Sequence, residues 1–244
     1  MNVVLALAAF SREAFQLSSI RDAGLFALDF SEQELGQRAM PVWLFDAEPV
    51  RIPPPWREPP ETWADRWLTH DPPGGDSPEQ DRERGSLALV SGELFQDRRQ
   101  LAPLQRAVVD VCSGSGGRPT VALVFLTGRP LDDTQALQVM AEAAAYPVFW
   151  VFLTASRGEE REGPGEAGQG SGAFDFLDRV PQASRNFAVI RTSGWSSWAR
   201  LRRSAAIRRA VSRWLRGLPL TVVEPPEQEL PEPADAPPKP SGSR

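Results

Sequence analysis

Residues 120–154 read TVALVFLTGRPLDDTQALQVMAEAAAYPVFWVFLT: two uninterrupted apolar runs either side of a segment with helical spacing. Val121–Leu126 and Val148–Leu153 show no polar alternation, so each suits a strand covered on both faces. Thr134–Ala145 between them is Ala-rich and of helix length. Strand, helix and strand within about 33 residues make a right-handed crossover, which requires the two strands to pair in parallel. A chain built on that unit folds as an open α/β sheet, and such sheets hold ligands beyond the carboxyl ends of their strands. Here that place is Leu126-Thr127-Gly128-Arg129-Pro130.

The rest of the sequence extends the alternation. Val3–Ala8 is another apolar run of strand length, followed by helical spacing from about Ser18 to Gln37 with Ile20, Leu25, Leu28 and Leu35 as core contacts. Val42–Phe45 and Val50–Ile52 flank the turn Asp46-Ala47-Glu48 and are closed off by Pro53-Pro54-Pro55, the pattern of a hairpin. Trp63 and Trp67 stand at i and i+4, on one face of a short helix. Leu87–Phe95 suits strand or helix equally. Leu101–Cys112 is helical and precedes the SGSGG segment, which has the composition of a linker. Order resumes at Phe174–Leu177; Asn186–Ile190 is a last strand and Ser196–Leu218 a last helix. The expectation is a doubly wound α/β fold over residues 1–220, with a mostly parallel sheet, helices on both faces and flexible loops at about 53–86 and 156–173. Residues 221–244 are expected to form a disordered, acidic tail, since seven prolines fall between Pro225 and Pro240.

The inventory of reactive side chains is short. Cys112 is the only cysteine and His70 the only histidine, so neither an internal disulfide nor a histidine metal cage can form within one chain. Cys112 suits a small buried hydrophobe, and His70 sits in a polar turn. No Gly-Lys phosphate loop, Gly-x-Ser-x-Gly elbow or Gly-x-Gly-x-x-Gly turn is present. The carboxylate pairs Asp132-Asp133 and Glu159-Glu160 lie in polar loops, and Asp132 and Asp133 suit the start of a helix, where the dipole favours acids. Catalysis is not expected. The first residues, MNVVLALAAFS, lack the cationic start and full apolar region of a signal peptide, and no stretch reaches the length of a membrane span. A cytoplasmic location is therefore expected.

Several segments together resemble the von Willebrand factor A-type domains, in particular the branch at the carboxyl terminus of tellurium-resistance (Ter) proteins. The most specific is Tyr146–Phe152 within AAAYPVFWVFLT; FDFLDRVPQASRNFAVI, MPVWLFDAEPVRIPP and WADRWLTHDPPGGDS also match segments of that branch. The resemblance implies a divalent-cation site at the carboxyl end of the sheet, built from Asp-x-Ser-x-Ser after the first strand, a threonine in the second loop and an aspartate after the fourth strand. This chain departs from each. Ser11-Arg12 follows the first strand without an aspartate, Asp76-Ser77 stand where the threonine is expected, and Thr127-Gly128-Arg129 replace Thr-Asp-Gly. A hard cation needs oxygen donors with carboxylate charge, and a guanidinium beside the cavity repels it. The expectation is a lost metal site and no cofactor. The alternative, a Mg²⁺ site with reorganised ligands, would draw on Asp76, Ser77, Thr127 and Asp132 or Asp133.

One charge feature stands apart in a chain of net charge −5. From Gly194 to Pro219 there are seven arginines and no acid. On a helical wheel Ile207, Val211, Trp214, Leu215 and Leu218 form an apolar face, while Arg202, Arg209, Arg213 and Arg216 form a stripe opposite. The stripe suits either a solvated outer face or a docking surface for an acidic protein; without an aromatic stacking platform, nucleic acid is the weaker match. The functional expectation is a non-catalytic protein-interaction module, set by the resemblance in a bacterial stress-response or Ter-like system. Its candidate contact residues are Ser11, Arg12, Asp76, Ser77, Thr127 and Arg129 at the sheet end, and the four arginines of the stripe. A divalent-cation-dependent binder and an anionic-surface binder are the alternatives.

Overall fold

The computed structural model describes residues 1–10, 14–36, 40–53, 55–68, 96–155, 172–179, 186–192 and 197–218. Strand β1 (Asn2–Ala8) is followed by α1 (Ala14–Leu35), the hairpin strands β2 (Val42–Phe45) and β3 (Pro49–Ile52), and α2 (Pro60–Trp67). Then come α3 (Ala102–Gly114), β4 (Thr120–Leu126), α4 (Asp133–Ala143), β5 (Val148–Ala155), a 3-10 segment (Gly172–Arg179), β6 (Phe187–Thr192) and α5 (Ser197–Gly217). The six strands form one sheet in the order β3-β2-β1-β4-β5-β6. All neighbours pair in parallel except β3, which returns antiparallel on β2.

This is the doubly wound α/β arrangement that the apolar runs require. Parallel strands cannot be joined by tight turns, so each crossover carries a helix that covers one face. Alternate residues of β1 show the consequence. Val3, Leu5 and Leu7 enter one core with Phe26 and Phe30 of α1, Trp63 of α2 and Ile207 and Val211 of α5. Val4, Ala6 and Ala8 enter the other with Leu104 and Val108 of α3 and Ala136 and Met140 of α4. Every residue of β4 is buried.

Local chemistry accounts for most boundaries. Helix α3 tolerates Pro103 in its first turn, where no intrahelical N–H is needed. It runs on through Ser113 and Gly114, which the composition had placed in the linker. Gly116 (φ 72°) and Gly117 (φ 69°) then end it in the left-handed region, and the Gly117 N–H reaches back to the Cys112 carbonyl at 3.2 Å. Trp63 and Trp67 are both buried, and the Trp63 indole N–H donates to the Pro53 carbonyl at 2.8 Å. In α1, Ile20 and Leu28 are buried and Leu25 and Leu35 half-buried, with Phe26 and Phe30 carrying more of the contact. Leu87–Phe95, His70 and the tail lie outside the described residues.

Among the described residues, no helix is long and apolar enough to cross a membrane.

The close approach of α1 and α2 depends on one missing side chain. A Cβ at Gly24 would lie 2.3 Å from Leu68 Cδ1, and Leu68 is fully buried. Alanine would gain about 1 kcal/mol of helix propensity, and overpacking would cancel or exceed it at about 1–3 kcal/mol. Gly24→Val, with no such compensation, should lower stability by about 2–3 kcal/mol in urea unfolding. Combining it with Leu68→Ala should cost less than the sum of the two single changes. Simple additivity would show that the two helices are not held apart at this contact.

Candidate functional site

The strand order reverses between β1 and β4, and the crevice beyond their carboxyl ends is where an open sheet of this kind presents a site. Each strand end contributes differently. After β1 the chain turns inward: the Ala9 N–H donates to the Phe45 carbonyl at 2.8 Å, and Phe10 packs edge-on against Phe45 at 5.6 Å. No carboxylate stands at that strand end within residues 8–10.

Beyond β2 lies Asp46, which is fully buried. Its Oδ2 accepts the Gln96 N–H at 2.6 Å and its Oδ1 the Arg99 N–H at 2.8 Å, while its carbonyl accepts the Gln100 N–H at 2.6 Å. The three bonds draw residues 96–100 across the rim of the sheet. Asp97 (φ 56°) and Arg99 (φ 48°) both adopt the left-handed conformation there, a strained choice for residues other than glycine. A buried carboxylate needs hydrogen-bond donors, and backbone N–H groups bent around it supply them. The sequence gives little warning of this role, because an aspartate opening a hairpin turn is ordinary turn chemistry. The available clue was its position directly after a fully apolar strand.

Asp132 holds the other end of the same segment. Its Oδ1 accepts the Leu101 N–H and its Oδ2 the Ala102 N–H, each at 2.8 Å. Asp132 occupies the residue before α4, yet its side chain makes no capping bond to that helix. It stands at the start of its own helix, as expected, and its carboxylate in addition accepts the N–H groups that open α3, reached through space from the β4–α4 loop. The Leu131 N–H donates to the Arg99 carbonyl at 2.9 Å and completes the brace.

Asp133 does lie in the first turn of α4. The Arg129 guanidinium reaches its Oδ2 at 2.5 Å, and Arg179 stands 3.8 Å from the same oxygen. The hydrogen bond from Arg129, helped by the Thr134 backbone N–H and by the positive charge of both arginines, outweighs desolvation and holds the Asp133 carboxyl below the usual aspartate range. At the end of β4, the buried Thr127 hydroxyl has no hydrogen-bond partner among the described residues. A Cβ added to Gly128 would lie 3.6 Å from Arg99 Nη1, so this guanidinium rests beside the strand end.

Of the residues singled out at the sheet end, Thr127, Arg129 and Asp132 are brought to one rim. Ser11, Arg12, Asp76 and Ser77 lie outside the described residues. The donors that are described do not fit a hard divalent cation: both oxygens of Asp46 and of Asp132 are engaged by backbone N–H groups, and Asp133 is engaged by arginine. Among the described residues, no group of three or more His, Cys, Asp or Glu side chains is placed to hold a metal ion.

The stripe on α5 is separate from this rim. Arg202, Arg209, Arg213 and Arg216 are exposed, whereas Ile207 and Val211 are buried. Trp214 is half-buried and stacks on Phe149 of β5 at 5.2 Å. Arg203 departs from its helix mates: it is 4% exposed, with its guanidinium 5.8 Å from the centre of the Phe26 ring.

The geometry defines the class, an open doubly wound α/β fold whose switch-point rim is braced by two aspartates. No family model matches the chain, and no curated protein matches it. Among solved structures, proximal thread matrix protein 1 from the mussel byssus aligns with 86% of this chain at 9% identity and a TM-score of 0.48. The alignment covers 47% of that protein, so this chain spans about half its length.

Two outcomes test the rim. Asp46→Ala leaves two N–H groups without their charged acceptor and should cost about 3–5 kcal/mol in urea unfolding. A loss below about 0.5 kcal/mol would mean that the segment is held by something else. For Asp133 the sign follows from its lowered folded-state pKa: the stabilisation is present above the unfolded aspartate value and is lost as pH falls through the folded one. Arg129→Gln should return the Asp133 carboxyl towards its ordinary range in an NMR titration. An unchanged titration would assign the shift elsewhere.

Proposed function

We propose that this chain is a non-catalytic protein-interaction domain of the von Willebrand A type, one that operates without a divalent cation. The observation that carries this reading is the occupation of the rim carboxylates. In the metal-dependent arrangement implied by the resemblance, carboxylate and hydroxyl oxygens converge on an open cavity. Here Asp46 and Asp132 are turned towards backbone N–H groups, and Asp97 and Asp133 on the same rim are paired with Arg99 and Arg129. Releasing Asp46 to a cation would break two charge-assisted bonds and leave buried donors unpaired, a cost that weak Mg²⁺ coordination does not recover.

The interaction surface that best suits this domain is the exposed arginine stripe on α5, and the partner that best suits the stripe is an acidic protein segment. Exposed guanidinium groups steer and hold carboxylates while adding little to folding. The Ter-like, stress-associated setting comes from the sequence resemblance alone.

The cation reading and the cation-free reading separate cleanly in solution. A ligand confined to the folded state raises stability by mass action. Thermal unfolding in EDTA and in millimolar Mg²⁺ or Ca²⁺ should therefore give the same midpoint within error. A metal-dependent rise that disappears in Asp76→Ala would replace this proposal with the reorganised metal site.

A further inference from the structure

We infer that the arginine stripe of α5 is a docking surface for the chain's own acidic segment, Glu224–Asp235, so that an acidic partner must displace it. This inference rests on the reading of the stripe as an interaction face. The first observation is electrostatic. Among the described residues, Arg208 pairs with Glu34 of α1 at 3.1 Å, and Arg209 Nε donates to the Ala205 carbonyl of its own helix at 3.2 Å. Neither Arg202, Arg213 nor Arg216 makes an ion pair there, and α5 contains no acid of its own. Four exposed positive charges thus stand on one helix face of an otherwise acidic chain.

The second observation is where the chain leaves the fold. Trp214, near the end of α5, stacks on Phe149 at the start of β5, and the helix ends at Gly217. The stripe begins one residue before that end, at Arg216, and runs back about 21 Å to Arg202 at the helical rise of 1.5 Å per residue. Residues 219–223 lead directly into Glu224, Glu227, Glu229, Glu232 and Asp235. In the extended form that prolines favour, Glu224 to Asp235 spans about 34 Å at 3.1 Å per residue. After a reversal at 219–223 the segment is therefore long enough to run antiparallel along the whole stripe. Glu229, Glu232 and Asp235 are spaced by three, which sets them on one side of a threefold extended chain.

The charges complement each other, with five acids against four arginines, and the short tether raises the local concentration of the segment to about the millimolar range. Proline supplies no N–H, so the segment has little to offer a sheet edge and its contacts with α5 are those of side-chain charge. Such contacts are screened over about 8–10 Å at ordinary ionic strength, so the tether is what makes them count.

The test uses the full chain and a fluorescein-labelled peptide of residues 222–237 as the probe, read by anisotropy at low and high salt. Three proteins are compared: wild type; a tail variant with Glu224, Glu227, Glu229 and Glu232 changed to Gln and Asp235 to Asn; and that variant with Arg202, Arg209, Arg213 and Arg216 also changed to Gln. The peptide should bind the tail variant at least about fivefold more tightly than wild type, because the tethered competitor is gone. Binding should weaken with salt and vanish in the combined variant. Equal affinity for wild type and tail variant, with binding still dependent on the arginines, would overturn occupancy by the tail and leave the docking face standing. Binding that ignores the arginines, or no binding to the tail variant, would overturn both. If the combined variant does not fold by circular dichroism, Arg213→Gln in the tail variant, with the salt dependence, decides the same question.

Discussion

Parallel pairing of β4 between β1 and β5 is the constraint from which the rest of this structure follows. Strands so paired cannot be joined by hairpins, so each crossover must leave the sheet and return, and the helices it carries cover both faces. With both faces covered, the central strands have no polar side, and all seven residues of β4 are buried. The chain ends of these strands then become the only places along them where polar groups can gather. The rim at the switch point is thus a consequence of the pairing.

What gathers there is a set of carboxylates bound by their own backbone. Asp46 and Asp132 lie at opposite ends of the segment 96–102 and between them accept four backbone N–H groups. Charge-assisted bonds of this kind are about twice as strong as neutral ones, and a buried carboxylate without them would be untenable. Two left-handed residues, Asp97 and Arg99, are held in place against their conformational preference. The acids brace the rim, and that use competes with any role as metal ligands.

Helix α5 divides its labour between faces. Ile207 and Val211 close the core over β5 and β6, Trp214 stacks on Phe149, and Arg203 turns inward over Phe26. Arg202, Arg209, Arg213 and Arg216 face outward, where solvent screens them and they contribute little to stability. A helix that turned all of these arginines to the packed side could not serve this sheet. One that carries them outside is free to use them for association.

The alternation of apolar runs with helical spacing was enough to determine the α/β class, the crossover 120–154, the hairpin at Val42–Ile52 and the two faces of the last helix. These are local properties: strand burial and helix amphipathicity are written in the period of the hydrophobic residues. The wheel that separated Ile207 and Val211 from Arg202, Arg209, Arg213 and Arg216 agrees with their burial. The sequence could not show which acid meets which backbone. Asp46 and Arg99 are 53 residues apart, and Asp132 caps a helix that begins 30 residues before it. The wheel puts Arg203, four residues before Ile207, on the apolar side, but that its guanidinium meets the Phe26 ring depends on where α1 lies. Hydrophobic period is read along one chain segment, whereas the partner of a carboxylate depends on where the sheet brings distant segments together, and only the tertiary structure decides that.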